Sequence, residues 1–420
     1  MILYEIEQKF KREKLIDLKG QVRSELKLNK QLNSLPKKAE IAITAGSRGI
    51  DNIVVILKEI IKYLHQYGYR PFIVPAMGSH GGATAEGQMD VLRYLGITED
   101  VMGVQIRSSM EVIDLGTTPE GLPVYMDKQA YHADGIIVVN RIKAHTAFRG
   151  SVESGLSKMA AIGLGKQKGA SFVHSEGAAN MEQNILAVSK YALHHAPISM
   201  GLAIIENSYD QTAIIQGIDV DNWFEQESDL LRKSKDLMPS LPLKEVDLLV
   251  VEEMGKNYSG TGMDPNIIGR WRIDGVDEPK EPSIKRLAVL DLSEQSFGNA
   301  QGIGLADFTT EKLINKIDRD ATYMNALTST FLRRVMFPLY YASERQVLEY
   351  AFKSLGPKAK WEETDYIQIP NTLHLNKMLV SESVLRKLDS NVIDYTIERK
   401  VRLDFINEEL KYRLSNVYIT

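Results

Sequence analysis

The sequence predicts two α/β domains with largely parallel sheets and a ligand cleft between them. Short apolar runs, Ile41-Ala42-Ile43-Thr44, Phe72-Ile73-Val74 and Gly135-Ile136-Ile137-Val138-Val139, have the pattern of strands buried on both faces. Segments with helical apolar spacing alternate with them. The proline-punctuated stretch Met238-Pro239-Ser240-Leu241-Pro242 then precedes a new apolar run, Val246 to Val251, which places the boundary between domains 1–242 and 243–420. The last segment of the second domain is able to pack back on the first.

Taken in order, Met1 to Glu7 alternates like a strand, and Ile41–Thr44 is the next. Asp51 can cap a helix whose apolar face includes Ile56, Leu57, Ile60, Ile61 and Leu64, with Gly68 as its stop. Phe72–Val74 follows as a strand. Thr84 can cap a helix carrying Met89, Leu92 and Leu95, closed by Gly96. Beyond the boundary come Val246–Val251, a strand around Ala288–Leu292, and a long helical stretch from about Asp320 to Phe352.

With 420 residues the chain can bury large cores, and its formal net charge of −4 lacks the clustered cations of a nucleic-acid-binding protein. The absence of cysteine removes disulfides, thiolate metal ligands and thiol nucleophiles. No apolar run approaches a membrane span and no signal sequence is visible, so the expected location is the cytoplasm.

In a parallel sheet the strands' C-terminal ends share one edge, where ligands bind. Three polar loops are delivered there: Ala45-Gly46-Ser47-Arg48-Gly49, Pro75 to Thr84 with His80, and Asn140 to Gly150 with His145. Ser154-Gly155-Leu156-Ser157-Lys158 and His174 follow. Any one of these histidines is more often a hydrogen-bonding turn residue than a catalyst, and Lys158 alone reads as a solvated helix lysine. Their joint placement favours chemistry. Gly165-Lys166 looks like the end of a phosphate loop, but Ala160 and Gln167 stand where that motif needs Gly and Ser or Thr. In the second domain a loop from Glu252 to Asn266, with Lys256 and Tyr258, follows a buried strand, and Arg270 is expected to border the same cleft. Lys256 is about as well explained as a solvated loop cation.

Gly78-Ser79-His80-Gly81-Gly82-Ala83-Thr84, the block from Asn140 to His174 and the pair Ser47-Arg48 resemble elements of the nickel-pincer-nucleotide lactate racemase family and its wider group of lactate-racemase-like proteins. The resemblance covers most of the first domain. It implies that Lys158 holds the pyridinium-derived nickel-pincer nucleotide through a thioamide and that His174 is the protein ligand to nickel. It further implies that His80 and His145 are an acid/base pair, and that Ser47, Arg48, Gly78, Thr84 and Lys166 contact cofactor, or for Arg48 substrate or cofactor phosphate. Lys256, Tyr258 and Arg270 are carried as substrate contacts. Imidazole suits both nickel and proton transfer to and from a hydroxyl.

The implied activity is racemisation or epimerisation of a 2-hydroxy acid by removal of the hydroxyl proton and hydride transfer through a planar keto acid. The implied partners are the substrate and the cofactor-synthesis enzymes, with a homodimer as one assembly the chain allows. Ala45 stands where the family has Asp, Gly49 where it has Pro, and residues 148–153 lengthen the interval before Lys158, which points to a 2-hydroxy acid other than lactate. Two further readings remain: a histidine-metal hydrolase or lyase with His80, His145 and His174 on one ion, and a non-catalytic nucleotide- or cofactor-binding protein.

Overall fold

The computed structural model describes residues 1–175 and 177–415. The chain forms two compact units, one of residues 11–238 and one of residues 1–10 with 239–420. This differs from the expected 1–242 and 243–420 at the start of the chain. The opening strand, β1 (Ile2–Gln8), pairs with strands from the far C-terminus rather than with the unit that follows it. Its alternation identifies it as a strand, but a strand's partner depends on register with residues nearly four hundred positions away.

The sheet of the 11–238 unit contains β2 (Glu40–Ala45), β3 (Arg70–Pro75), β6 (Gly135–Arg141), β7 (Ile198–Glu206) and β8 (Thr212–Ile218), while β4 (Val112–Thr117) and β5 (Pro123–Asp127) form a separate hairpin. The order is β3-β2-β6-β7-β8, parallel except for β8. Alternate side chains serve two cores: Ala42, Phe72, Val74, Ile136 and Val138 enter one, and Ile41, Ile43, Ile73, Ile137 and Val139 the other. That is why these strands read as unbroken apolar runs. Each such Ile or Val contributes about 1.5–3 kcal/mol by leaving water, and the sheet edge that carries the site is rigid as a result. Thr44, buried in the middle, receives the Val139 N–H at 2.8 Å and so ties β2 to β6 just below the loops that follow them.

The helix Ile53–Gln66 is present, but Asn52 in left-handed backbone occupies its cap position and its side chain does not cap the helix. Asp51 instead accepts from Thr212 N at 2.8 Å and its hydroxyl at 3.0 Å, a long-range partner that local sequence does not disclose. Thr84 caps the helix Ala85–Tyr94 as expected, accepting from Gly87 N at 3.0 Å.

The second sheet adds β9 (Glu245–Val251), β10 (Ser283–Val289), β11 (Phe308–Thr310), β12 (Leu339–Tyr341), β13 (Tyr366–Ile369), β14 (Lys377–Ser381) and β15 (Tyr395–Arg402) to β1. Its order is β12-β11-β10-β9-β13-β14-β1-β15, parallel from β12 to β13 and antiparallel beyond. The single helix expected from 320 to 352 is two, Arg319–Ser329 and Glu344–Lys353, with β12 between them. Thr330, at φ 63°, ends the first, and Pro338 cannot donate a helical hydrogen bond. Ser343 then caps the second.

Candidate active site

The three loops predicted to share an edge do so, because β2, β3 and β6 are parallel neighbours and residues 46–50, 76–84 and 142–150 follow their C-terminal ends. His80 is brought to the loop after β2, where its Nδ1 lies 2.5 Å from Ser47 Oγ. The loop's shape depends on Gly78, which has φ 60° and would place a Cβ 3.2 Å from Ile162, so a larger residue meets both backbone strain and packing. Gln88 holds the same loop by donating to the carbonyls of Gly78 at 2.9 Å and His80 at 3.3 Å.

His145 and Lys158 face each other, with Nε2 and Nζ 2.7 Å apart. His145 Nδ1 accepts the Ala147 N–H at 3.1 Å, which assigns the ring proton to Nε2 and makes Lys158 the acceptor, an unprotonated amine. Burial, helped by the Arg48 guanidinium, pushes the Lys158 ammonium down to about 8. A deprotonated lysine within reach of neutral pH is a nucleophile rather than a counter-ion. Behind His145, the buried Glu153 accepts the His145 N–H at 2.6 Å and pairs with Lys235 at 2.7 Å, fixing the loop's entry.

Lys158 ends the short helix Leu156–Lys158 and a π-turn, Met159–Gly163, follows at once, the kind of local irregularity that clusters at functional sites. His174 ends the next helix, Lys166–His174. His174 is exposed to solvent, yet desolvation by the surrounding protein and then the Lys158 charge push its imidazole down to about 4. At neutral pH it therefore offers a lone pair, as a metal ligand must. Arg48 is coupled electrostatically to Lys158 and Lys158 to His174, so five predicted residues, Arg48, His80, His145, Lys158 and His174, belong to one neighbourhood through Ser47. His80 is turned to Ser47 and His145 to Lys158, and among the described residues no three His, Asp or Glu side chains are placed to hold one metal ion.

Several expected contacts have other work. Lys166 is fully buried: its ammonium donates to Pro75 O at 2.5 Å and Gln88 Oε1 at 3.1 Å and pairs with Asp127 at 3.0 Å. It braces the His80 loop from inside the core rather than reaching a ligand. Thr84 is a helix cap. In the second unit Arg270 is buried, clamping the carbonyls of Leu305 at 3.0 Å and Ile284 at 2.8 Å and the Asp307 carboxylate at 2.8 Å, which removes it as a substrate contact. Lys256 donates to Gly260 O of its own loop at 2.8 Å. Tyr258 donates to Glu253 at 2.5 Å, and burial with that carboxylate pushes its phenol up to about 12. It lines a polar cavity of about 540 Å³ within the second unit, together with Glu253, Asn257, Asp291, Lys312 and His374.

Sequence reading missed Glu153, Asp127 and Glu227, all buried carboxylates that support the site from behind. The available signal was indirect: an acidic residue in an otherwise apolar face requires a buried donor.

A lysine amine and three histidines thus gather beside one edge of the α/β sheet in the 11–238 unit. Residues 17–184, less than half of the chain, match the family model described as the lactate racemase N-terminal domain. No curated protein matches it in sequence. Among solved structures, it is similar to the lactate racemase apoprotein from Thermoanaerobacterium thermosaccharolyticum at 14% identity and TM-score 0.52, covering 88% of this chain and 98% of that one. A protein from Thermotoga maritima is similar at 12% identity and TM-score 0.55, covering 87% and 98%. At these identities the likeness describes the fold. No helix among the described residues is long and apolar enough to cross a membrane.

Proposed function

We propose that the chain is a racemase or epimerase of a 2-hydroxy acid, with a nickel-pincer nucleotide attached at Lys158. The observation that carries this reading is the Lys158–His145 pair, an amine pushed down to about 8 and set 2.7 Å from an imidazole, with the same lysine's charge helping to keep His174 neutral. The residues fit the group. Lys158 would form the amide-type bond, His174 would ligate nickel, and Arg48, beside Ser47 at the sheet edge, would meet a phosphate or carboxylate. When bound, the group would supply a site that takes up and returns hydride.

The chain's own residues do the rest. His145 and His80 would move the hydroxyl proton on the two faces of the reacting carbon, as inversion requires, since one base reaches only one face. Phe148, its ring centroid 4.3 Å from that of His145, limits how far the imidazole can turn. Loading makes the cofactor-synthesis enzymes partners, in the cytoplasm. A 2-hydroxy acid other than lactate fits Ala45 at the family's Asp position, which removes an anion from the loop and leaves Arg48 without that neighbour.

Nickel retention tests the assignment of His174. His174→Ala should lower bound nickel by at least about tenfold, the range typical of a lost metal-site contact, while the organic adduct persists. Metal analysis beside intact mass reads both quantities, and equal nickel in variant and wild type would remove His174 from the site.

A further inference from the structure

The turn that presents Lys158 is held by a residue seventy positions away and outside the family-matched segment. Glu227 lies on the helix Trp223–Asp236, is 1% exposed, and extends its carboxylate beneath Ser154-Gly155-Leu156-Ser157-Lys158. The Ser157 N–H donates to both Glu227 oxygens, at 3.1 and 3.0 Å, and the Ser157 hydroxyl donates to Oε2. Trp223 Nε1 donates to the same hydroxyl at 3.1 Å, so Ser157 is gripped from both sides. Gly155 is part of the device, because a Cβ there would stand 2.1 Å from Glu227 Oε1. A glycine is what allows the carboxylate to approach this closely. Thus three features of the motif, Gly155, Ser157 and the start of the helix at Leu156, converge on one side chain.

We propose that Glu227 is a positioning residue for Lys158: by clamping the backbone and hydroxyl of Ser157, it fixes where the adjacent lysine amine stands relative to His145. The proposal rests on the reading of Lys158 as the reacting amine of the site. A buried carboxylate is costly: desolvation pushes the Glu227 carboxyl up to about 7, and the donors of Ser157, Leu156 and Trp223 only partly oppose it. Glutamine has the same shape but only one acceptor oxygen, so in Glu227→Gln an amide NH₂ must face the Ser157 donors. The turn then shifts, and Lys158 moves out of the buried position beside Arg48 and His145 that depresses its pKa.

The test is the pH profile of Lys158 acetylation in the full chain without cofactor, using a small N-hydroxysuccinimide acetate reagent and peptide mass spectrometry. Wild type should show a midpoint near 8 at Lys158. Glu227→Gln should raise that midpoint by about one unit, equivalent to about tenfold slower labelling at a pH below both midpoints. Ser157→Ala, which removes only the hydroxyl contacts, should move it less but in the same direction. A role confined to stability would lower the melting temperature and leave the midpoint of the folded protein unchanged. An unchanged midpoint in folded Glu227→Gln overturns the proposal; if that variant does not fold, an unchanged midpoint in Ser157→Ala overturns it. Cofactor loading is read separately. A wild-type chain that carries no adduct, but whose Lys158 midpoint moves in Glu227→Gln, sinks the attachment reading and leaves the positioning role standing.

Discussion

Replacing His145 by glutamine should cut turnover of the 2-hydroxy acid by about 10²–10⁴-fold, the range for losing a general acid or base, with adduct and nickel content near wild type. Glutamine keeps a polar side chain in the loop that Glu153 and Lys235 anchor, so the surrounding structure has no reason to collapse. What it cannot do is take or give a proton. The same substitution at His80 should have an effect of the same order, because two faces of the reacting carbon need two groups. Single-turnover and metal measurements on the same preparations separate the cases. If activity falls only in proportion to lost nickel, both histidines are ligands and the acid/base assignment is wrong.

Lys166→Ala should destabilise the protein by about 3–5 kcal/mol, the cost of breaking a buried ion pair from one side. Lys166 and Asp127 are both fully buried, and Asp127 Oδ2 has no hydrogen-bond donor besides the lysine it pairs with. Truncating the lysine strands that carboxylate and also frees Pro75 O and Gln88, the brace under the His80 loop. Lys166→Met with Asp127→Asn should recover much of the loss, because it removes both charges, fills the space and keeps the Asp127 oxygen that caps Ala130. Urea unfolding of the three chains measures this. A single variant within about 0.5 kcal/mol of wild type, the scale of surface substitutions, would return Lys166 to the cofactor contacts.

The site edge was legible because it depends on local signals. Unbroken apolar strands fixed a parallel sheet, and a parallel sheet puts the loops with Ser47, His80 and His145 side by side. Thr84 as a cap and Gly78 as a turn follow from short-range rules. The sequence did not reveal features that depend on distant partners. Asp51 looks like a helix cap but bonds to Thr212, Lys166 looks like a phosphate-loop lysine but finds Asp127, and β1 joins a sheet built from the other end of the chain. Arg270 was misjudged for the same reason: a cation after a polar loop looks available until the carbonyls of Ile284 and Leu305 close on it. Glu227 is the sharpest case, an unremarkable helix glutamate in the sequence that lies directly under the lysine turn in the fold.

Attachment of the cofactor at Lys158 is the central claim, and intact-mass spectrometry tests it directly. The full chain, co-expressed with the cofactor-synthesis enzymes, should carry one covalent adduct that peptide mapping assigns to Lys158 and that disappears in Lys158→Ala with the fold unchanged. Unmodified wild-type mass under those conditions, or the same adduct retained in Lys158→Ala, would contradict it.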